Sequence, residues 1–239
     1  MTIRLFEVGG SIRDKLLGID NPPDRDFCAE SPDGWEALLA WCDANMERVF
    51  VIKPQFFTVR GRLSTGDTID VVMCRKDGAS SDGRHPDEVE PGTLLDDLAR
   101  RDFTVNAMAR EVDPGTLVPM GGLVDPFEGR RALLNRRLKC VGETSQRLEE
   151  DGLRVLRAAR FAVTKGLVPE LSLSRCLHSS HWWDFVALTV SIERIREEVN
   201  KMMKHSTVET LRFLHSNCHP TAIDVLFETI WLKPTLEEK

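Results

Sequence analysis

The hydrophobic pattern of the chain changes period near Gly121, and that change limits the folds open to it. Before it, short runs alternate apolar and polar residues in the manner of half-buried strands, with helical stretches between them. These runs are Ile3–Val8, a helix over Ser11–Leu17, Phe27–Ala29, a helix around Gly34–Asn45, then Arg48–Ile52, Phe56–Leu63 and Thr68–Cys74. Residues 75–95 carry Asp-Gly, Arg-His-Pro and Pro-Gly steps and read as one long loop, a length uncommon without a function. From about Gly121 the spacing is helical to the end. The pattern predicts an α+β head followed by an all-helical part.

Composition narrows the class. Apolar residues make up 41% and charged residues 29%, typical of a soluble globular protein. No apolar run approaches the ~18 residues of a membrane span, so no membrane partner is expected. Met1–Glu7 is too short and polar for a signal peptide, which points to the cytosol. The six cysteines form no C-x-x-C pair and are expected to be reduced, mostly buried thiols. His215, Cys218 and His219 have no second cluster to complete a zinc site. The net charge of −6 speaks against a nucleic-acid partner, but it is unevenly spread. Residues 130–165 hold 10 Lys and Arg against 4 Asp and Glu, a local +6, leaving −12 for the rest. Such a stripe suits a phosphate-rich ligand or an ordinary solvated helix face, and composition leaves both open.

Three short segments carry the chemistry. In Val8-Gly9-Gly10-Ser11-Ile12-Arg13 a strand runs into two glycines and then a helix, which lets backbone N–H groups approach an anion, with Arg13 one turn away. In Asp24-Arg25-Asp26 an extended backbone sets two carboxylates on one face, costly unless a cation compensates them. In Thr68–Cys74 alternation puts Ile69, Val71 and Met73 on one side and Asp70 on the other, an acid that needs pairing or a metal. Oxygen donors of this kind suit Mg²⁺ together with substrate phosphates. Three aspartates and two ions would serve in-line phosphoryl displacement.

The segments occur with others in a fixed order. Val8-Gly9-Gly10-x-Ile12-Arg13-Asp14 and Asp24-x-Asp26 come first, then Asp97-Leu98-x-Arg100-Arg101-Asp102-Phe103-Thr104-Val105-Asn106-Ala107 and Asp125-Pro126-Phe127-x-Gly129. Glu150-Asp151-x-Leu153-Arg154-x-Leu156-Arg157-Ala158-x-Arg160 and Ser191-x-Glu193-Arg194-Ile195 close the series. Over about residues 4–203 the chain resembles the class II tRNA nucleotidyltransferases (CCA-adding enzymes) and the related bacterial poly(A) polymerases. The resemblance implies a nucleotidyltransferase head with a mixed β-sheet at 1–122, a helical neck at 123–204 and a remnant of a helical body at 205–239. It implies stepwise addition of C, C and A to the tRNA 3′ end from CTP and ATP, with release of pyrophosphate and no template. It gives Asp24, Asp26 and Asp70 the metal-binding, catalytic role, with Mg²⁺ as cofactor. Gly9, Gly10, Arg13 and Arg101 fall on the triphosphate, and Asn106 on the sugar and phosphate side. Asp151 and Arg154 take the base-reading role, continued by Arg157 and Arg160. The Ser191 motif reads as scaffolding, with Ser191 as N-cap.

The residues around Asp151 support a reading of their own. On one helix, Leu148, Val155, Leu156, Ala159, Ala162 and Val163 share an arc, and Asp151, Arg154, Arg157 and Arg160 sweep across the opposite side. A carboxylate beside a guanidinium accepts from the amino group of cytosine or adenine and repels the carbonyl of uracil or guanine. A surface ion pair would look the same in sequence. Members of the family are generally longer, so most of the body and tail is expected to be missing or compacted into 205–239. Gly152 stands where the family usually has proline. The segment from Arg75 through Pro86 resembles the family's flexible loop, which favours full CCA addition. Poly(A) addition, a CC-only or A-only enzyme and an inactive RNA-binding remnant are the alternatives. Trp182-Trp183 is expected in the core or in an interface patch rather than stacked on a base.

Overall fold

The computed structural model describes residues 3–19, 25–78 and 89–228. Asp24, the Asp82–Pro86 part of the long loop and the last residues of the expected body lie outside the described residues. Two compact units are present, one through Asn135 together with Lys139–Gly142, the other Arg136–Leu138 with Glu143 onward.

The first unit opens with β1 (Arg4–Val8), α1 (Gly10–Leu16), β2 (Arg25–Glu30), α2 (Trp35–Asn45), β3 (Arg48–Lys53), β4 (Thr58–Arg62) and β5 (Thr68–Met73). It continues with β6 (Arg75–Asp77), β7 (Val89–Pro91), α3 (Leu94–Ala99), β8 (Ala109–Val112), β9 (Pro119–Val124) and α4 (Gly129–Leu134). A seven-stranded mixed sheet runs in the order β3-β4-β5-β2-β1-β8-β9, and β2–β5 is its parallel pair. Alternation sorts the side chains to two cores. Leu5, Phe27, Ala29, Val59, Ile69, Val71 and Met73 pack on one face with Leu38 and Cys42 of α2. Phe6, Val8 and Cys28 pack on the other, with Leu94 and Leu98 of α3. Strand β1, between β2 and β8, is buried on both sides, so its Glu7 carboxylate has to be matched. Lys15 Nζ at 2.8 Å and Arg25 Nε at 3.1 Å donate to it. Burial alone would raise the Glu7 carboxyl, but the two cations outweigh it and hold it below the usual range.

At the sheet's outer edge, β3 exposes Phe50, Val51 and Ile52 between Arg48 and Lys53. Two expectations need correction here. Residues 75–95 are not one loop: β6 and β7 pair as an antiparallel ladder, and Thr93 caps α3 through a reciprocal bond with Asp96. The helical pattern does not begin at Gly121. Pro119–Val124 is an edge strand beside β8, where a register irregularity accommodates the Gly-Gly pair's neighbourhood. The compact unit therefore runs on past residue 122 through α4.

The second unit contains β10 (Arg137–Leu138), α5 (Thr144–Glu150), α6 (Leu153–Lys165), β11 (Val168–Pro169), α7 (Leu171–Leu177), α8 (Ser180–Thr189), α9 (Ile192–His205), α10 (Thr207–Asn217) and α11 (Thr221–Glu228). Helix α6 is its axis, burying Leu153, Val155, Leu156, Ala158, Ala159, Phe161, Ala162 and Val163. Small alanines at 158, 159 and 162 let neighbouring helices approach. Trp183 is fully buried, with its Nε1 donating to the Leu177 carbonyl at 2.9 Å, as expected of a core residue. All six cysteines are buried and unbridged. Among the described residues no helix is long and apolar enough to cross a membrane.

Gly129, the first residue of α4, sits against the Thr104–Asn106 turn, and a Cβ there would overlap the Thr104 carbonyl and press within 2.9 Å of Met108 Cγ. Gly129→Ala is expected to cost about 2 kcal/mol of stability through overpacking, read as a lower urea midpoint. An unchanged midpoint would mean that α4 shifts without penalty.

Candidate functional site

The head site is built where the ends of β1, β2 and β5 meet α1 and the turn after α3. In the parallel β2–β5 pair Asp26 lies in register with Asp70, and on the antiparallel side Val8 lies opposite Asp26. Register partners project to the same face, so the two carboxylates stand side by side on the face that carries Cys28 and Val8. Asp26 is exposed and Asp70 half-buried.

Asp70 is not the isolated acid that the strand pattern suggests. Arg60 of β4, its cross-strand partner, forks onto it with Nε–Oδ1 2.7 Å and Nη2–Oδ2 2.6 Å. Sequence reasoning missed Arg60. The signal was present: the short turn from Leu63 to Asp67 centres the β4–β5 hairpin so that Arg60 must face Asp70.

The glycine turn stands next to this pair. Gly9 has φ 71°, in the left-handed region, and a Cβ there would lie 2.7 Å from Arg101 Nη1. Glycine at this position therefore satisfies both the backbone and the close approach of a guanidinium. Arg13 of α1 is buried, with Nη1 donating to Asn106 Oδ1 at 2.6 Å and Nε donating to Asp14 at 2.8 Å. Asn106 in turn donates from Nδ2 to Asp102 Oδ1 at 2.9 Å. Arg101 Nη1 donates to the Asn106 carbonyl at 3.3 Å. The structure thus gathers Gly9, Gly10, Arg13, Arg101 and Asn106 around one turn. The anchors behind them, Asp97 and Asp102, had been given no role. Asp97 is fully buried and takes Arg100 at 2.6 Å and Arg101 at 3.1 Å. Burial pushes its carboxyl up, but the two guanidiniums prevail and leave it below the usual carboxylate value.

The donor set is compatible with a hard divalent cation. Mg²⁺ is commonly held by one or two carboxylates plus substrate phosphates, and Asp26 with Asp70 supplies two oxygen donors at one spot. Among the described residues no group of three or more His, Cys, Asp and Glu could hold a metal; Asp24, the third carboxylate of the expected set, lies outside the described residues.

In the second unit the expected single helix through Asp151 is interrupted. Helix α5 ends at Glu150 and α6 begins at Leu153, with Asp151 extended between them at φ −155° and ψ 107°. The apolar arc continues across this break, which is why periodicity does not reveal it. Asp151 Oδ1 accepts from the Leu153 amide at 3.0 Å, and Oδ2 from Arg194 Nη2 at 2.8 Å. Arg154 Nη1 donates to Glu150 at 2.7 Å and to the Arg147 carbonyl at 2.8 Å. Asp151 and Arg154 are each held by a separate partner. Arg194, read from sequence as scaffolding, grips one of the two directly. Ser191 does stand at the N-cap of α9, but its side chain makes no capping bond. Gly152 has an ordinary helical φ, and its value is space: a Cβ would fall 2.6 Å from Thr189 Oγ1.

Arg157 and Arg160 lie farther along α6. Arg160 pairs with the buried Glu198 of α9, which also accepts from Lys201 at 3.1 Å. Burial raises the Glu198 carboxyl and the surrounding Arg160, Arg157 and Lys201 charges lower it by more. Arg157 lies over the Phe161 ring at 5.6 Å. As the chain stands, then, Arg160 serves the packing of α6 on α9.

Comparison with known proteins gives a consistent result. Residues 5–139 match the model of the poly A polymerase head domain. A CCA-adding enzyme of Lactococcus lactis subsp. cremoris is 33% identical over 202 residues, covering 83% of this chain and 46% of that protein. One from Geobacillus stearothermophilus is 31% identical over 207 residues, covering 83% and 45%. The chain thus spans about half the length of the curated relatives it matches. Among solved structures, the Bacillus stearothermophilus CCA-adding enzyme in complex with CTP superposes with a TM-score of 0.75 at 26% identity, covering 95% of this chain and 51% of that one. The Thermotoga maritima CCA-adding enzyme complexed with tRNA gives 0.70 at 26% identity, covering 97% and 50%.

Removing Asp97 tests the anchor. Asp97→Asn is expected to cost about 3 kcal/mol at neutral pH, because Arg100 and Arg101 lose a buried counter-charge. The folded-state carboxyl value lies below the unfolded one, so this stabilisation is complete above about pH 4 and is lost as pH falls through the folded value. Chemical denaturation from pH 7 to pH 2.5 should therefore show the gap between wild type and variant closing only at the acid end.

Proposed function

Because the chain belongs to the poly A polymerase head domain family, we propose that it is a template-independent nucleotidyltransferase that builds CCA on the 3′ end of tRNA from CTP and ATP, releasing pyrophosphate. The observation that carries this reading is the register of Asp26 with Asp70 beside a glycine turn backed by Arg13, Arg101 and Asn106. A plain acidic turn would need no such buried support. The resemblance to relatives named CCA-adding enzymes, two of them solved with CTP and with tRNA, adds to it.

In this reading the first unit acts as the head and the helices that follow as the neck, with the residues after about 205 belonging to the body. Asp24, Asp26 and Asp70 would hold Mg²⁺, in a two-ion site. The chemistry the ions supply when bound is a more acidic attacking hydroxyl and neutralised charge on the phosphates. The chain's own part is positioning. Gly9 and Gly10 keep side chains out of the way of the triphosphate. Arg13 and Arg101, pinned by Asp14, Asp97 and Asn106, give a fixed positive background that does not have to reorganise during the reaction. Asn106 is held between Arg13 and Asp102 and faces the sugar side. Asp151 accepts from the amino group of cytosine or adenine, and Arg154 donates to the ring nitrogen or carbonyl beside it. Uracil and guanine would set a carbonyl against Asp151. Arg157 extends the cationic face, and Arg160 does so only if it leaves Glu198. The pre-set extension of Asp151 by Arg194 supports a reader that keeps its shape without a template.

Incubation with tRNA ending at the discriminator base, Mg²⁺, and CTP and ATP separately and together tests the proposal. Ordered growth by C, C and A is expected; a long A tail or no product would overturn it. Asp24→Ala and Asp26→Ala should each reduce transfer by at least about a thousandfold, a loss of about 4 kcal/mol of transition-state stabilisation, with unchanged melting temperature. Retained turnover in both would remove the metal assignment. Arg154→Ala should blur discrimination among the four nucleotides more than it weakens tRNA binding, measured as kcat/KM ratios for CTP against UTP.

A further inference from the structure

Three charged residues stand in a row across neighbouring strands on one face of the sheet. Arg60 on β4 is the register partner of Asp70 on β5, and Asp70 is the register partner of Asp26 on β2. Two guanidinium bonds reach the Asp70 carboxylate, one on each oxygen, at 2.7 and 2.6 Å. A divalent ion bound by Asp70 would need one of these oxygens, at the ~2.1 Å typical of Mg²⁺, and would meet a cation already there. Arg60 is also placed to leave: its side chain is 55% exposed, and Asp70 is 27% exposed. Water reaches and screens a pair this exposed, so its parting costs far less than that of a buried pair. A buried Arg would be a permanent feature; this one is a displaceable one.

We infer that Arg60 is a built-in counter-ion of the catalytic carboxylates, holding Asp70 in place and competing with the divalent cation for it. Its fork keeps Asp70 beside Asp26 despite their like charge, and it lets go when the cation is taken up. The device sets how much divalent ion the site needs before it fills. It rests on the assignment of Asp70 as a metal ligand under the proposed function, and the two can fail separately. Nothing in the order of the motifs requires an arginine at this position; the hairpin register alone brings it there.

Binding of Mn²⁺ to the whole chain without nucleotide, followed by the electron paramagnetic resonance signal of the free ion, tests the inference. Arg60→Gln should bind Mn²⁺ about tenfold more tightly than wild type, as expected for removing a positive charge a few ångströms from a divalent ion. Arg60→Lys, which keeps the charge but loses the fork, should fall between. Asp70→Asn should weaken binding and abolish the gain when combined with Arg60→Gln. If Asp70→Asn weakens binding but Arg60→Gln binds no better than wild type, the counter-ion role is overturned and the metal assignment stands. If Asp70→Asn leaves binding unchanged, the metal assignment of Asp70 falls and the inference with it; if neither wild type nor Arg60→Gln binds Mn²⁺ without nucleotide, the counter-ion role is overturned. Melting temperatures of the variants within a few degrees of wild type would show that the sheet is intact, and Arg60→Lys covers the case in which Arg60→Gln does not fold.

Discussion

The parallel pairing of β2 with β5 is the constraint on which the rest depends. The other ladders of the large sheet are antiparallel, and three of them, β3–β4, β4–β5 and β8–β9, are joined by short connections that can set their register. This one needs a crossover, through α2, β3 and β4, and its register is fixed by burial rather than by a turn. Phe27 and Ala29 on β2 share a core with Ile69, Val71 and Met73 on β5. A one-residue slip of β5 against β2 would turn Ile69, Val71 and Met73 to the opposite face and drive Asp70 into the core beside α2. Apolar packing on one side of the sheet therefore determines which carboxylates meet on the other.

Behind the glycine turn, rigidity comes from buried polar groups in place of further apolar packing. Arg13, Asn106 and Asp102 form one chain of hydrogen bonds, and Asp97 takes two guanidiniums. In the second unit the same solution recurs: Glu150 holds Arg147 and Arg154, Arg194 holds Asp151, and Glu198 holds Arg160 and Lys201. Arg101, Asp151 and Arg154, assigned to phosphate and base, are thus held by Asp97, Arg194 and Glu150, which have no part in the chemistry. Buried networks of this kind are costly when half-satisfied and specific when complete.

The sequence made the head's strands legible because alternation is a local property, and it placed Asp70 on the correct face for the same reason. The motif order made the family legible. What stayed hidden was non-local or cut across a continuous pattern. The break at Asp151–Gly152 is invisible to periodicity because Leu148, Val155 and Leu156 remain on one arc, and the close approach of Thr189 and Phe185 of α8 to Gly152 is not local in sequence. Pro119–Val124 looked like the start of a helical region because its two glycines carry no pattern, and only pairing with β8 makes it a strand. The partners of Asp97, Glu198 and Asp151 come from near and far in the chain, and burial of a charge cannot be seen before the fold is known. Arg60 is the instructive case, since a tight hairpin would have allowed it to be placed by counting.

The outer edge of the sheet has a bearing on handling the protein in solution. Strand β3 offers unpaired backbone groups flanked by Phe50, Val51 and Ile52, the kind of surface along which molecules add to one another and precipitate. If two copies met there head to tail, centred between Phe50 and Val51, Arg48 of each would face Lys53 of the other. Like charges at both ends of the contact act as gatekeepers against fibrous assembly, so neutralising either one to improve crystallisation would trade away colloidal stability.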